Sequence, residues 1–154
     1  MRVAFAADHG GAALKDELLE RLRAEPDPAA LIDLGGDGTD PTDDYPDFAV
    51  RLGSAIQRDE ADRGVLVCGS GVGASVAACK MTGIRASVCH DTYSAHQGVE
   101  HDDMNVLCLG GRIVGIELAL EIVRTYLGAT FSNAPRHRRR VDKVLAIEAA
   151  EHER

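Results

Sequence analysis

No stretch of this sequence approaches the roughly 20 consecutive apolar residues that a membrane-spanning helix requires, so a helical span is excluded. There is no CxxC pair. Cys68, Cys79, Cys89 and Cys108 stand apart, inside or beside hydrophobic runs. The last three read as small buried hydrophobes in a reducing cytoplasm. Positive charge is in deficit, with 17 Lys and Arg against 25 Asp and Glu and a net charge of −8. Aromatic residues supply only 4% of the chain. A nucleic-acid partner would want a basic surface and a stacking platform, and neither is present. Repeats, low-complexity segments and interior linkers are also missing. The N-terminus goes straight into a predicted strand, so no signal peptide is expected.

What is there is 154 residues with 45% hydrophobic and 27% charged composition. That is enough for one domain, residues 1–154, with a sizeable core. Short aliphatic runs predict strands near 2–7, 30–34, 64–68, 84–89 and 105–109. Amphipathic segments between them predict helices near 11–24, 45–60, 72–81, 92–99, 115–127 and 137–151. Leu14, Leu18, Leu19 and Leu22 recur at helical spacing, as do Leu118, Ile122 and Val123. Strand–helix alternation with nearly all-apolar strands implies a five-stranded parallel sheet, doubly wound and Rossmann-like, with helices on both faces. Ligands of such sheets bind at the carboxyl ends of the strands.

Polar groups gather beside the predicted strands: Asp8 to Gly11, Cys68 to Gly73, His90 and Asp91, His101 to Asp103, and Gly110 to Arg112. Each alone is explicable as turn or cap chemistry. Together they outline a site built on loops of one sheet edge.

The most informative segment is Cys68-Gly69-Ser70-Gly71-Val72-Gly73, a strand ending in a thiol that turns through glycines into a helix. Several N–H groups and a positive helix end then face one small volume, which suits an anion. Gly69, Gly71 and Ala74 satisfy the dinucleotide pattern G-x-G-x-x-G/A, with Asp91 at ribose distance. However, the loop falls in the third unit, and the chain is too short for a dinucleotide domain plus a substrate domain. A Walker loop fails for want of Gly-Lys-Ser/Thr. A small cysteine phosphatase needs Arg where Ala74 stands, and a receiver domain needs Asp where Cys68 stands. A thiol acting as base or nucleophile remains, since thiols near helix N-termini and cations ionise more readily. Proton abstraction α to a carbonyl and acyl transfer both use a thiol beside an oxyanion cradle.

Pro135-Arg136-His137-Arg138-Arg139-Arg140 is the second constellation. Pro135 suits a first helical position, but cations in a first turn oppose the helix dipole. Such broken local rules are expected at functional sites. Arg136 and Arg140 share a helix face and could clamp a phosphate. A basic face meeting solvent or an acidic neighbour is the plain alternative. No local ligand spacing supports a metal among the histidines, whereas His101 suits acid–base work on a sugar ring. His90 and His96 read as structural or surface residues. The acidic loop 37–47 reads as a solvated connection that caps the next helix, with Tyr45 its one notable member.

In order along the chain, Asp8-His9-x-Gly11, Asp44-Tyr45-Pro46, Cys68 to Gly73, Asn105-Val106-Leu107, Gly111-Arg112 and Arg136-His137-x-x-Arg140 resemble one known family. It is the type B ribose-5-phosphate isomerases, grouped with galactose- and allose-6-phosphate isomerases. The likeness runs from Val3 to about Ile147. It implies a homodimer, or dimer of dimers, with shared active sites that interconverts aldose and ketose phosphates without metal or cofactor. Carried over by position, Cys68 is the base and Ser70 moves the hydroxyl proton. The amides of Gly69, Gly71, Val72 and Gly73 hold the enediolate. His101 opens the ring with Asp8 nearby, His9, Arg112, Arg136 and Arg140 bind phosphate, and Tyr45 and Asp102 line the sugar.

Some of these residues would come from the partner, through a C-terminal helix that reaches it. One branch of the family uses Glu six positions after the Cys; Ala74 stands there, which leaves the role to Cys68. Relatives typically carry Asn where this chain has Asp102. A carboxylate beside a developing enediolate is repulsive unless protonated or turned away, so a tetrose or hexose phosphate, or an epimer of ribose, stays open as the substrate. A sensor that binds a sugar phosphate without turnover is the rival from another class.

Overall fold

In a computed structural model describing residues 1–152, five strands alternate with six helices. They run β1 (Arg2–Ala7), α1 (Ala12–Arg23), β2 (Ala30–Asp33), α2 (Tyr45–Gln57), β3 (Arg63–Cys68) and α3 (Val72–Ala78). Then come β4 (Ala86–Val88), α4 (Thr92–Asp102), β5 (Val106–Gly110), α5 (Ile116–Gly128) and α6 (Pro135–His152). The strands form one sheet in the order β2-β1-β3-β5-β4, with every pairing parallel. The expected doubly wound architecture is the observed one.

Pleating sends alternate residues to opposite faces. Phe5, Val65, Val67, Leu107 and Leu109 meet α1, α4 and α5 on one side. Ala4, Ala6, Leu66, Cys68, Val106 and Cys108 meet α2 and α3 on the other. Burial on both faces explains why the strands read as continuous apolar runs. Leu118 points outward, and α5 instead buries Ala119, Leu120, Ile122, Val123 and Tyr126. Cys79 is exposed, against expectation, because it caps α3 at the end of a short helix, where its thiol donates to the Ala86 carbonyl.

Two differences in element ends bear on function. Asp91 caps α4 by accepting the Ser94 N–H at 2.7 Å, and the helix runs on to Asp102 before Asp103 turns left-handed at φ 51°. His101 and Asp102 therefore sit in a last helical turn, not in a loop. That turn lies at the amino end of β5, the sheet edge opposite to Cys68. The grouping of His101, Asp102 and Asp103 with the carboxyl-edge loops is thus corrected. Asp103 itself pairs with Arg85 at 2.9 Å. Helix α6 begins at Pro135 and buries His137 and Val141, whereas Val144 and Ile147 stay 53% and 65% exposed in the single chain.

Among the described residues, no helix is long and apolar enough to cross a membrane.

Candidate active site

At the carboxyl edge three loops touch backbone to backbone. A Cβ on Gly11 would collide with the Val67 carbonyl, and one on Gly111 would lie 2.7 Å from the Gly10 oxygen. One on Gly110 would meet the Ser70 carbonyl at 2.8 Å. The Gly111 N–H donates to the Cys68 carbonyl at 2.8 Å, and the Arg112 N–H to that of Gly69 at 3.0 Å. Asp8 is buried and accepts the Gly11 N–H at 3.1 Å. Only residues without side chains allow this approach, which brings Asp8, Cys68, Ser70 and Arg112 into one volume.

Cys68 is 4% exposed, with its sulfur turned under the loop to accept the Gly71 N–H at 3.1 Å. Gly71 has φ 81°, a left-handed conformation natural to glycine, and this aims its amide at the sulfur. The Val72 N–H faces the Ser70 hydroxyl at 3.3 Å. Two of the amides expected at the anion therefore have partners within the loop. Those of Gly69 and Gly73 donate to no acceptor among the described residues. Tyr45 lies across Gly73, where a Cβ would stand 2.8 Å from its ring. The Arg112 guanidinium lies over Gly69, 3.5 Å from a Cβ placed there.

His9 is gripped by Asp43, whose Oδ1 accepts its N–H at 2.9 Å and meets its Nδ1 at 2.6 Å. That bond raises the His9 pKa above its ordinary value. Asp43 comes from the acidic loop read as a plain connection, and its neighbour Asp44 makes no capping bond to α2. His90 accepts the Gly110 N–H at 2.9 Å and braces the end of β5. Burial lowers its pKa, which keeps Nε2 an acceptor.

At the amino edge a second cluster forms where α4 meets α6. The His101 and His137 rings stack at 4.0 Å with 29° between their planes. The Gln97 amide reaches His101 Nδ1 at 2.9 Å, and Glu100 lies 3.7 Å from His101 Nε2. The Arg136 Nε–H donates to His137 Nε2 at 3.1 Å. Arg140 is one helical turn on, and Asp102 is exposed beside the cluster. From Val106 to Gly110 the strand rises about 13 Å, so one chain holds the two clusters apart. Asp8, His9, Tyr45, Cys68, Ser70 and Arg112 come together; His101, Asp102, Arg136 and Arg140 gather elsewhere.

A sequence model of the ribose/galactose isomerase family matches residues 3–144. The chain belongs to that family. It is 44% identical to ribose-5-phosphate isomerase B of Escherichia coli, with 96% of each chain covered. It is 37% identical to D-erythrulose-4-phosphate isomerase 2 of Mycolicibacterium smegmatis over 97% of this chain and 99% of that one. The solved structure of Mycoplasma genitalium ribose-5-phosphate isomerase B with bound ribulose-5-phosphate superposes with a TM-score of 0.88. Identity there is 36%, and 96% of both chains is covered. Like the rest of the ribose/galactose isomerase family, the protein is an aldose–ketose isomerase of sugar phosphates.

Asp43, Gln97 and His137, which contact the expected site residues His9, His101 and Arg136, were not expected to do so. His137 was quoted within the Arg136-His137-x-x-Arg140 motif without a role, and Asp43 stood next to Asp44-Tyr45-Pro46. Nothing local marked Gln97.

Proposed function

We propose that this protein interconverts ribose 5-phosphate and ribulose 5-phosphate in the cytoplasm, as one isomerase domain spanning the chain, with no metal or cofactor. The observation that carries the reading is the thiol of Cys68 under a donor N–H, beside the unpartnered amides of Gly69 and Gly73. His101 opens the furanose ring by giving a proton to the ring oxygen as its bond to C1 breaks. Asp8 across from it takes the proton of the anomeric hydroxyl, which leaves the C1 carbonyl. The Cys68 thiolate removes the C2 proton, and the electron pair moves into an enediolate whose oxygen is held by the amides of Gly69 and Gly73. Ser70 carries the hydroxyl proton between O1 and O2, and Cys68 returns its proton to C1. His9, Arg112, Arg136 and Arg140 hold the phosphate, while Tyr45 and Asp102 line the sugar.

The separation of the clusters supports a homodimer, or a dimer of dimers, with two shared sites. A five-carbon phosphate bound at Cys68 is out of reach of the same chain's His101. The exposed Val144 and Ile147 on α6 are an apolar face suited to a second copy.

A tetrose phosphate is the second reading, because a relative from Mycolicibacterium smegmatis is named a D-erythrulose-4-phosphate isomerase and Asp102 departs from the Asn typical of the family. A panel of four-, five- and six-carbon sugar phosphates, with C2-proton exchange monitored, decides between them. Fastest exchange on ribose 5-phosphate is expected; a preference for a tetrose phosphate moves the substrate, and no exchange on any member leaves a sensor. His101→Asn should slow the cyclic pentose roughly 100-fold and spare an open-chain tetrose phosphate. Equal losses would remove ring opening from the mechanism.

A further inference from the structure

We infer that His137 is a positioning residue, holding the His101 ring and the Arg136 guanidinium as one unit. The inference deepens the reading above and rests on it. His137 is only 3% exposed, so its ring is not a surface for substrate; its contacts are with the groups that are.

Its protonation pattern follows from donor chemistry. Arginine only donates, so the Arg136 Nε–H fixes His137 Nε2 as an acceptor. The single ring proton therefore sits on Nδ1 and points at the Ser132 hydroxyl, 2.6 Å away. Ser132 is itself anchored. Its oxygen accepts the Ala134 N–H at 3.2 Å, and its backbone N–H donates to the Glu100 carbonyl at 3.0 Å. A continuous path thus runs from the end of α4 through Ser132 and His137 to Arg136.

The other face of the unit is the ring stack. A Gln97 amide nitrogen only donates, so His101 Nδ1 accepts and its remaining proton lies on Nε2. Gln97 fixes that ring in its plane, and the His137 ring closes one side of it at 4.0 Å. His101 and Glu100 face His137 from α4, and Arg136 and Arg140 face it from α6. Burial and those cations lower the His137 pKa, which keeps the ring neutral and Nε2 able to accept. A protonated ring would turn an N–H toward Arg136 and lose that bond.

The test separates the stack from the hydrogen bonds. Ribulose 5-phosphate is acyclic, because its phosphate occupies the oxygen that would close a furanose. Exchange of its C1 protons with solvent therefore needs no ring opening, whereas conversion of ribose 5-phosphate does. In the full-length enzyme, His137→Ala should cut kcat on ribose 5-phosphate about tenfold, leave ribulose exchange within about twofold, and raise KM for both several-fold. His137→Phe keeps a flat ring and loses both hydrogen bonds. It should restore kcat on ribose 5-phosphate while KM stays high. Ser132→Ala should raise KM without the loss of kcat.

Equal kcat losses on both substrates, no rescue of kcat by Phe, or unchanged constants would overturn the inference. His137→Phe and Ser132→Ala still decide it should the Ala variant fail to fold. His101→Asn run in parallel tests the underlying reading. If that variant fails to separate the two substrates, ring opening itself is wrong; if it separates them and the His137 variants do not, only this inference falls.

Discussion

At the carboxyl edge of the sheet, residues 8–11, 68–73 and 110–112 meet as bare backbone. At the amino edge, α4 and α6 meet through two histidine rings and Ser132. The first region uses glycines to bring amides and a thiol together, on loops that leave the carboxyl ends of β1, β3 and β5. The second presents long cations from α6, a mostly exposed helix, beside the His101 ring carried by α4. On the function proposed above, the carboxyl edge carries the C1–C2 proton transfer and part of the phosphate site, whereas the amino edge opens the ring and completes the phosphate site from a second chain.

Substitutions at the two edges should therefore differ in kind, and the largest effect belongs to the carboxyl edge. Cys68→Ala removes the proposed base and should lower kcat roughly 1,000-fold with KM nearly unchanged, measured by steady-state turnover of ribose 5-phosphate. A rate near that of the parent enzyme would break the contrast outright. Next comes the amino edge, where Arg136→Ala or Arg140→Ala should raise KM about tenfold and change kcat little. A kcat loss of the same size would mean that the basic cluster does more than bind.

The smallest effect is one of pH. His9 has a raised pKa because Asp43 accepts from its ring, so its imidazolium is favoured in the folded protein. That charge and the pairing it supports are fully present below the ordinary value of 6.5 and are lost as pH climbs through the raised one. KM for the phosphate should thus rise on the alkaline side of neutrality. Asp43→Asn should move that rise to lower pH and roughly double or triple KM at pH 7.5. An unchanged KM profile would detach Asp43 from phosphate binding.

Fold and carboxyl edge were readable because their signals are local. Apolar strands spaced by amphipathic helices dictate a covered parallel sheet, and a thiol followed by alternating glycines dictates a tight strand-to-helix turn. The position of His101 was not readable in this way. It depends on how far α4 continues after Asp91 caps it, and that is decided by the left-handed turn at Asp103 with its Arg85 partner. Asp43 was hidden because an aspartate in an acidic loop looks solvated until a histidine 34 positions away closes on it. The depth of Cys68 was hidden too. The same Gly71 conformation that shapes the loop also draws the sulfur beneath it.

Mixing two inactive variants tests the shared site most directly. Equal amounts of Cys68→Ala and His101→Asn protein, allowed to exchange subunits, form half mixed dimers. Each mixed dimer has one site in which an intact Cys68 meets an intact His101 from the other chain. The account predicts that activity returns to about a quarter of the parent level on the cyclic pentose phosphate. A mixture that exchanges subunits yet stays as slow as its components would contradict it, because both residues would then have to act from the same chain.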